Sequence, residues 1–154
     1  MFQKKIILLL LLLLSSCGYE AIHSKKNSIN YNFSVSELSF VGDRTVNLKI
    51  KEKLSTFTQN KKDKDFIIRI SSTSQKTTIA KNTTGDATSF KNVIYINVDV
   101  LMNDKFKSNF IILESFNYNN ISNKFDLKQL EKDIKNNLAE VAADKLIFKL
   151  SNIQ

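Results

Sequence analysis

The stretch Asp43-Arg44-Thr45-Val46-Asn47-Leu48-Lys49-Ile50-Lys51-Glu52-Lys53-Leu54-Ser55-Thr56-Phe57 decides how the chain is built. Val46, Ile50, Leu54 and Phe57 follow at spacings of four, four and three, which makes one apolar stripe on a helix. Asp43 stands where its carboxylate can accept the orphan N–H groups of the first turn. The pattern predicts a helix over Arg44–Gln59. On either side the period drops to two. Phe33, Val35 and the later Leu38 mark a short strand near Tyr31–Ser39. Phe66, Ile68 and Ile70 alternate with Ile67 and Arg69 in a second strand over Asp65–Ala80. A strand, a helix and a strand in succession make the two strands parallel, with the helix crossing one face of the sheet.

The rest of the chain adds a meander. Asn82-Thr83-Thr84-Gly85-Asp86 reads as a turn, with Gly85 free to take positive φ. Phe90, Ile94, Ile96, Val98 and Val100 share one parity in a strand over Ala87–Met102. Asn103-Asp104 turns again, and Phe106, Phe110, Ile112, Phe116 and Tyr118 mark a last strand. A long helix follows. Asp126 and Gln129 have capping-box spacing, and Leu130 can pack back on Phe125 as a hydrophobic staple. Leu127, Leu130, Ile134, Leu138, Val141 and Ala142 continue one face, Leu146 and Phe148 extend it, and the helix is expected over Leu127–Lys149. Two helices with one apolar stripe each need a common surface. The expected fold is therefore α+β: a four-stranded mixed β-sheet with two α-helices packed on one face, in the order β-α-β-β-β-α.

The start of the chain has another character. Lys4 and Lys5 precede nine apolar residues, Ile6–Leu14, seven of them consecutive leucines, and then Ser15-Ser16-Cys17. A basic start, a short apolar run and small residues make a secretory signal. Nine apolar residues fall short of the ~20 that a spanning helix needs. Leu14-Ser15-Ser16-Cys17 resembles the bacterial lipoprotein signal, which implies cleavage before Cys17 and acylation of that cysteine. Gly18, rather than Asp, after the cysteine points to the outer membrane. The expected organisation is a signal peptide over residues 1–16, a lipidated N-terminus and flexible leash over 17–32, and a single α+β domain over 33–154.

Composition narrows the chemistry. Of 154 residues, Cys17 is the single cysteine and His23 the single histidine, so the domain from residue 33 onward has neither. That removes Cys–His and Ser–His–Asp catalysis and most zinc sites. Gly42 and Gly85 are isolated, so there is no phosphate-binding loop motif. No catalytic residue, no metal and no cofactor are expected. The net charge of +8 suits an anionic partner, but an export signal argues against nucleic acid. Phosphorylated lipid is the more sensible anion. Residues 71–78 and 86–92 form two strand-like arms rich in hydroxyls. They read either as an exposed flap or as a ribbon held in a polar enclosure, such as the lumen of a large outer-membrane barrel.

These features together resemble the LptE family of lipopolysaccharide-assembly lipoproteins. The resemblance is carried by Leu14-Ser15-Ser16-Cys17-Gly18 with Tyr19, Gly42-Asp43-Arg44 opening a helix, and Ala87-Thr88-Ser89-Phe90 opening a strand. It is strongest over residues 114–150, where Glu114-Ser115-Phe116-Asn117-Tyr118-Asn119 leads to a helix with Glu131 and Leu138-Ala139-Glu140. The family implies a sheet with two helices on one side. It also implies a non-catalytic plug of the LptD β-barrel that assists barrel assembly and contacts lipopolysaccharide. By this resemblance Cys17 anchors the plug, and Lys76, Lys81 and Lys91, near the ribbon tip, are candidate lipopolysaccharide contacts. The alternative is an accessory lipoprotein of a lipid-trafficking ABC transporter, and a small lipoprotein hydrolase is a third reading that the missing histidine opposes. Mass spectrometry of the protein from its native envelope should find an N-terminus at Cys17 carrying acyl chains. An intact Met1, or an unmodified Cys17, would remove the anchor.

Overall fold

A computed structural model describes residues Tyr31–Ile153; the signal segment, Cys17 and most of the leash lie outside the described residues. The elements are β1 (Ser34–Gly42), α1 (Arg44–Leu54), a 3-10 turn (Ser55–Phe57), β2 (Asp65–Lys81), β3 (Ala87–Met102), β4 (Lys105–Asn119) and α2 (Lys124–Ser151). The sheet order is β1-β2-β3-β4. β1 pairs parallel with β2, and the other pairs are antiparallel. The architecture is the expected α+β fold, a four-stranded mixed sheet whose one covered face packs on both helices.

Alternation sets which face is covered. On β2 the covered positions are Phe66, Ile68 and Ile70, opposite Met102, Val100 and Val98 on β3. Ile94, Ile96 and Ile112 join them, and Val46, Ile50, Leu54, Ile134, Leu138, Ala142, Leu146 and Leu150 press down from the helices to close one core. Small residues on α2, Ala139, Ala142 and Ala143, are fully buried and let α1 approach closely. Lys53 near the end of α1 reaches Glu140 at 2.8 Å and Asp144 at 3.2 Å, whereas Asp43 at its start meets Lys135 at 3.0 Å. The order of these contacts means that the two helices run in the same direction.

Several boundaries differ from the sequence reading. β1 begins and ends three residues later than expected, and Ser36 is bulged out between Val35 and Glu37. The bulge explains why Val35 and Leu38, of unlike parity, share a face. Phe33 precedes the strand and stacks on Phe57, 4.7 Å between centroids. The α-form of the first helix stops at Leu54, short of Gln59, where the Ser55, Thr56 and Thr58 hydroxyls donate to the Glu52, Lys53 and Ser55 carbonyls. Such local bonds compete with the helical ladder. The second helix starts earlier than expected. Asn123, not Asp126, is its N-cap, and its side-chain oxygen accepts the Phe125 N–H. Asp126 then falls in the first turn, where its charge suits the helix dipole. The predicted staple does not form: Phe125 is 76% exposed, and Gln129 donates to Asp133 instead. Phe148 and Val141 also point away from the core.

The turns follow local chemistry. Asn82 Oδ1 accepts the N–H groups of Thr84 and Asp86, and Gly85 takes φ +89°. Asn103 and Asp104 both adopt positive φ, the signature of a two-residue hairpin turn. Gly42 is the most constrained glycine. Its φ is +101°, and a Cβ there would collide with the Ser72 carbonyl oxygen. Gly42→Ala should therefore cost about 3 kcal/mol or more. Gly85→Ala meets open space and should cost about 1 kcal/mol for its left-handed backbone alone. Urea unfolding of both variants checks this, and equal costs would refute the close approach at Gly42.

Candidate functional site: a lysine-lined groove over the polar half of the sheet

β2 and β3 are 17 and 16 residues long, but β1 has nine. β1 stops where Gly42 meets Ser72, and α1 starts beside it. Past Ser72, β2 has no strand on its outer edge and no α1 above it. There the covered face turns polar, from Ile68 and Ile70 to Ser72, Ser74 and Lys76. Only the first half of α2 overhangs it. The result is a groove with two adjoining cavities.

A junction around Asp43 builds the floor of the groove at its α1 end. The Asp43 N–H donates to the Ser72 carbonyl at 3.0 Å. Asp43 Oδ1 accepts from Thr45 N and Val46 N at 2.9 and 3.1 Å. Asp43 Oδ2 accepts from the Ser74 hydroxyl and from Lys135 Nζ. The Ser72 hydroxyl lies 2.7 Å from Asn47 Oδ1. Burial pushes the Asp43 carboxyl up, but hydrogen bonds from Ser74, Lys135 and the Val46 N–H, with the Lys135 charge, outweigh it and hold the pKa at about 2.

The first cavity, about 360 Å³, opens beside this junction. Thr45 lines it from α1, Ser74 and Lys76 from β2, Asn92 from β3, and Glu131, Lys132 and Lys135 from α2. The second, about 460 Å³, continues toward the hairpin end past Phe90, Asn120, Leu127, Lys124 and Lys128. Lys76 and Glu131 line both cavities. Lys76 Nζ pairs with Glu131 Oε1 and sits 3.8 Å from the Phe90 ring centroid. Tyr118 Oη donates to the same Glu131 oxygen at 3.1 Å. Burial, then the Glu131 charge and hydrogen bond, push the Tyr118 pKa up to about 12, so its O–H stays in place at neutral pH.

Lys124, Lys128, Lys132 and Lys135 recur at spacings of four, four and three, so they form one stripe of α2 along the groove mouth. The sequence reading passed over this stripe, although the spacing alone could have found it. The structure separates the three lysines that it singled out. Lys76 lies in the groove. Lys91 pairs in register with Thr77, so it stands on the other face of the sheet. Lys81 is exposed at the end of β2, after two register shifts. Chemically the groove offers ammonium groups, hydroxyls and the carboxamides of Asn92 and Asn120, beside the carboxylates of Glu131 and Asp86, and its lysines outnumber its acids. Among the described residues no cluster of three His, Cys, Asp or Glu could hold a metal ion, and no helix is long and apolar enough to cross a membrane.

The lowered Asp43 pKa has a defined sign. A carboxyl held below its unfolded value stabilises the fold above that value and stops doing so as pH falls through the folded one. The stability gap between wild type and Asp43→Asn should be constant above about pH 5, then shrink as pH falls from 3.8 towards about 2. At neutral pH the gap should be about 1.5 kcal/mol, the lower end for a hydrogen bond to a charged group, because Asn keeps the cap but cannot accept from Lys135 with a charged oxygen. Urea titrations across pH read it, and a gap independent of pH would refute the junction's charge role.

No protein-family model matches the chain, and no curated protein matches its sequence. Solved structures do share its fold. The rare lipoprotein B from Shewanella oneidensis superposes with a TM-score of 0.55 at 13% identity, over 75% of this chain and 97% of that one. A minor lipoprotein from Acinetobacter baumannii gives a TM-score of 0.61 at 9% identity, over 79% and 91%. The lipoprotein B of Nitrosomonas europaea gives 0.54 at 13%, over 77% and 83%. At such identities the likeness establishes the fold alone.

Proposed function

We propose that the protein is an outer-membrane lipoprotein, anchored through Cys17, that associates with an LptD-type β-barrel as a plug. In this reading it assists assembly of the barrel and delivery of lipopolysaccharide to the outer leaflet, and it catalyses no reaction. The observation that carries the proposal is the fold itself. The same arrangement of strands and helices occurs in lipoproteins of Gram-negative bacteria, and this chain begins with a lipoprotein-like signal. The shape of the sheet supports the lumenal role. The hairpin of β2 and β3 runs past β1 as a hydroxyl-rich ribbon, Thr73–Thr78 against Phe90–Tyr95. A polar barrel interior could complete its hydrogen bonds.

Lipopolysaccharide contact is proposed at the groove mouth rather than at all three lysines taken from the sequence. Lys76 remains a member, joined by Lys124 and Lys128 of α2. Lys81 and Lys91 stand away from it.

Purification of the tagged protein from its native envelope in mild detergent should retain a large outer-membrane barrel near one-to-one. Recovery of ABC-transport components instead would favour the accessory-lipoprotein reading. The double reversal Lys124→Glu, Lys128→Glu should weaken lipopolysaccharide retention. At about 1 kcal/mol per lysine near an anionic surface, the loss is roughly thirtyfold. Retention equal to wild type would remove the groove mouth from the contact.

A further inference from the structure

We infer that two copies of this chain pair antiparallel through β4, so that their four-stranded sheets join into one continuous sheet. β4 has no strand on its outer side among the described residues, and Ser108–Asn119 run in regular register on β3. Their outward N–H and C=O groups form a pairing edge about 40 Å long. The side chains beside that edge are apolar in both layers of the fold. Ile111 and Leu113 stand on the open face of the sheet, opposite Asn97 and Tyr95. Phe116 stands on the covered face, where it lines a recess of about 180 Å³ with Ile134, Asn137, Leu138 and Val141 of α2. Phe148 lies seven residues after Val141, on the same stripe of α2. That flank faces the β4 side, since Lys145 reaches Glu114 at 2.6 Å and Lys149 lies 5.2 Å from the Phe110 ring. Ile111, Leu113, Phe116, Val141 and Phe148 are each between 45% and 68% exposed. A contiguous apolar border of this kind marks a contact surface.

Whatever covers this border must match two layers. A lone strand added to β4 would take the edge bonds and cover Ile111 and Leu113, but Val141 and Phe148 belong to the helix layer and would stay in water. A second copy brings a sheet edge and a helix flank at the same heights, because a two-fold axis normal to the sheet sets each layer opposite itself. The area suffices. A standard interface takes about 800 Å² from each partner, which along a 40 Å edge is a strip about 20 Å deep, sheet and helix layers together. The side chains place the axis. Antiparallel partners share a face, so residues of one parity meet. An axis at Glu114 would set two carboxylates against each other, which disfavours it. An axis at Ile112 sets Ile111 of each copy opposite Leu113 of the other on the open face. On the covered face it sets Glu114 opposite the other copy's Phe110, whose ring lies beside Lys149, so each Glu114 meets a second cation. The antiparallel α2 flanks then turn Phe148 of one copy toward the recess at Phe116 and Val141 of the other.

The pairing goes beyond the plug reading and does not rest on it. The full chain, in density-matched neutral detergent, should sediment as a dimer at micromolar concentration. The double variant Ile111→Lys, Leu113→Lys should raise the dimer dissociation constant about a hundredfold or more, since a two-fold interface counts each substitution twice. Both side chains are exposed, so the fold should survive, and an unchanged melting temperature checks that. Val41→Lys, equally exposed on the β1 margin, should dimerise as wild type. The double variant Ile111→Cys, Leu113→Cys should cross-link two chains on mild oxidation, above the level that Cys17 sets in wild type, because opposite residues come within bridging distance. The inference falls if wild type is a monomer, if Val41→Lys dissociates as readily as the β4 variant, or if the cysteine pair does not cross-link. A monomer whose outward β4 amides resist hydrogen exchange would put residues 18–30 of the same chain on the border, and a cross-link to another protein would put a foreign strand there; either result overturns the pairing. A dimer that brings no barrel from the envelope sustains the pairing while the plug reading falls, and a monomeric wild type that retains its barrel does the reverse.

Discussion

The crossing of β1 into α1 over Ser72 is the constraint on which the rest of the structure depends. At Gly42 the backbone passes so close to the Ser72 carbonyl that no side chain fits. One residue later, Asp43 binds four elements of structure in three bonds' reach: it caps α1, takes the Ser74 hydroxyl from β2, holds Lys135 from α2, and follows directly on β1. Each partner has an alternative in water. What the junction adds is position, because a half-buried carboxylate with this many donors has one arrangement that satisfies all of them. The height at which β1 ends and α1 begins is fixed there. So, in turn, is the length of sheet left without their cover.

That division separates two jobs. Below Ser72 the covered face is Phe66, Ile68, Ile70 and their partners, all buried under two helices. Burial of such side chains contributes about 1.5–3 kcal/mol each, and this half carries most of the stability. Above Ser72 the same face holds Ser74, Lys76 and Asn92, and α2 stands over it on an ion pair, a ring contact and a tyrosine hydroxyl. Groups of that kind add little net stability but fix orientation. A recognition surface can tolerate weak local stability when another part of the same sheet supplies the cohesion.

Much of the fold was legible because it is written in periods. The alternation from Phe90 to Val100 and the stripe Val46–Ile50–Leu54 are local signals, and the structure places those residues where the periods put them. What escaped was written elsewhere. The bulge at Ser36 shifts β1 for the sake of its pairing with Phe66 and Ile67, a partner 30 residues away. The start of α2 was ambiguous locally, since Asn123 and Asp126 are both good caps, and the chain used the earlier one. The candidate site was legible only in part. Lys76 was singled out by charge, but Lys91 belongs to the other face because alternation, not proximity in sequence, sorts lysines on a hairpin. Asn92 carried no signal at all: among so many asparagines, only its burial distinguishes it.

The two margins of the sheet are unlike. The β1 margin is nine residues long and broken by a bulge, with Phe33 tucked in before it. The β4 margin is fifteen residues long, carries lysines only at 105 and 107, and exposes Ile111, Leu113 and Phe116. Its outward N–H and C=O groups meet no further strand among the described residues. Charge, brevity and irregularity are the means by which a sheet border refuses extra strands; β1 is short as well as bulged, whereas the bulge and the two lysines of β4 sit at its first residues and leave Ser108–Asn119 in regular register. The sheet is therefore directional: one side is finished, and any extension by strand addition begins from β4.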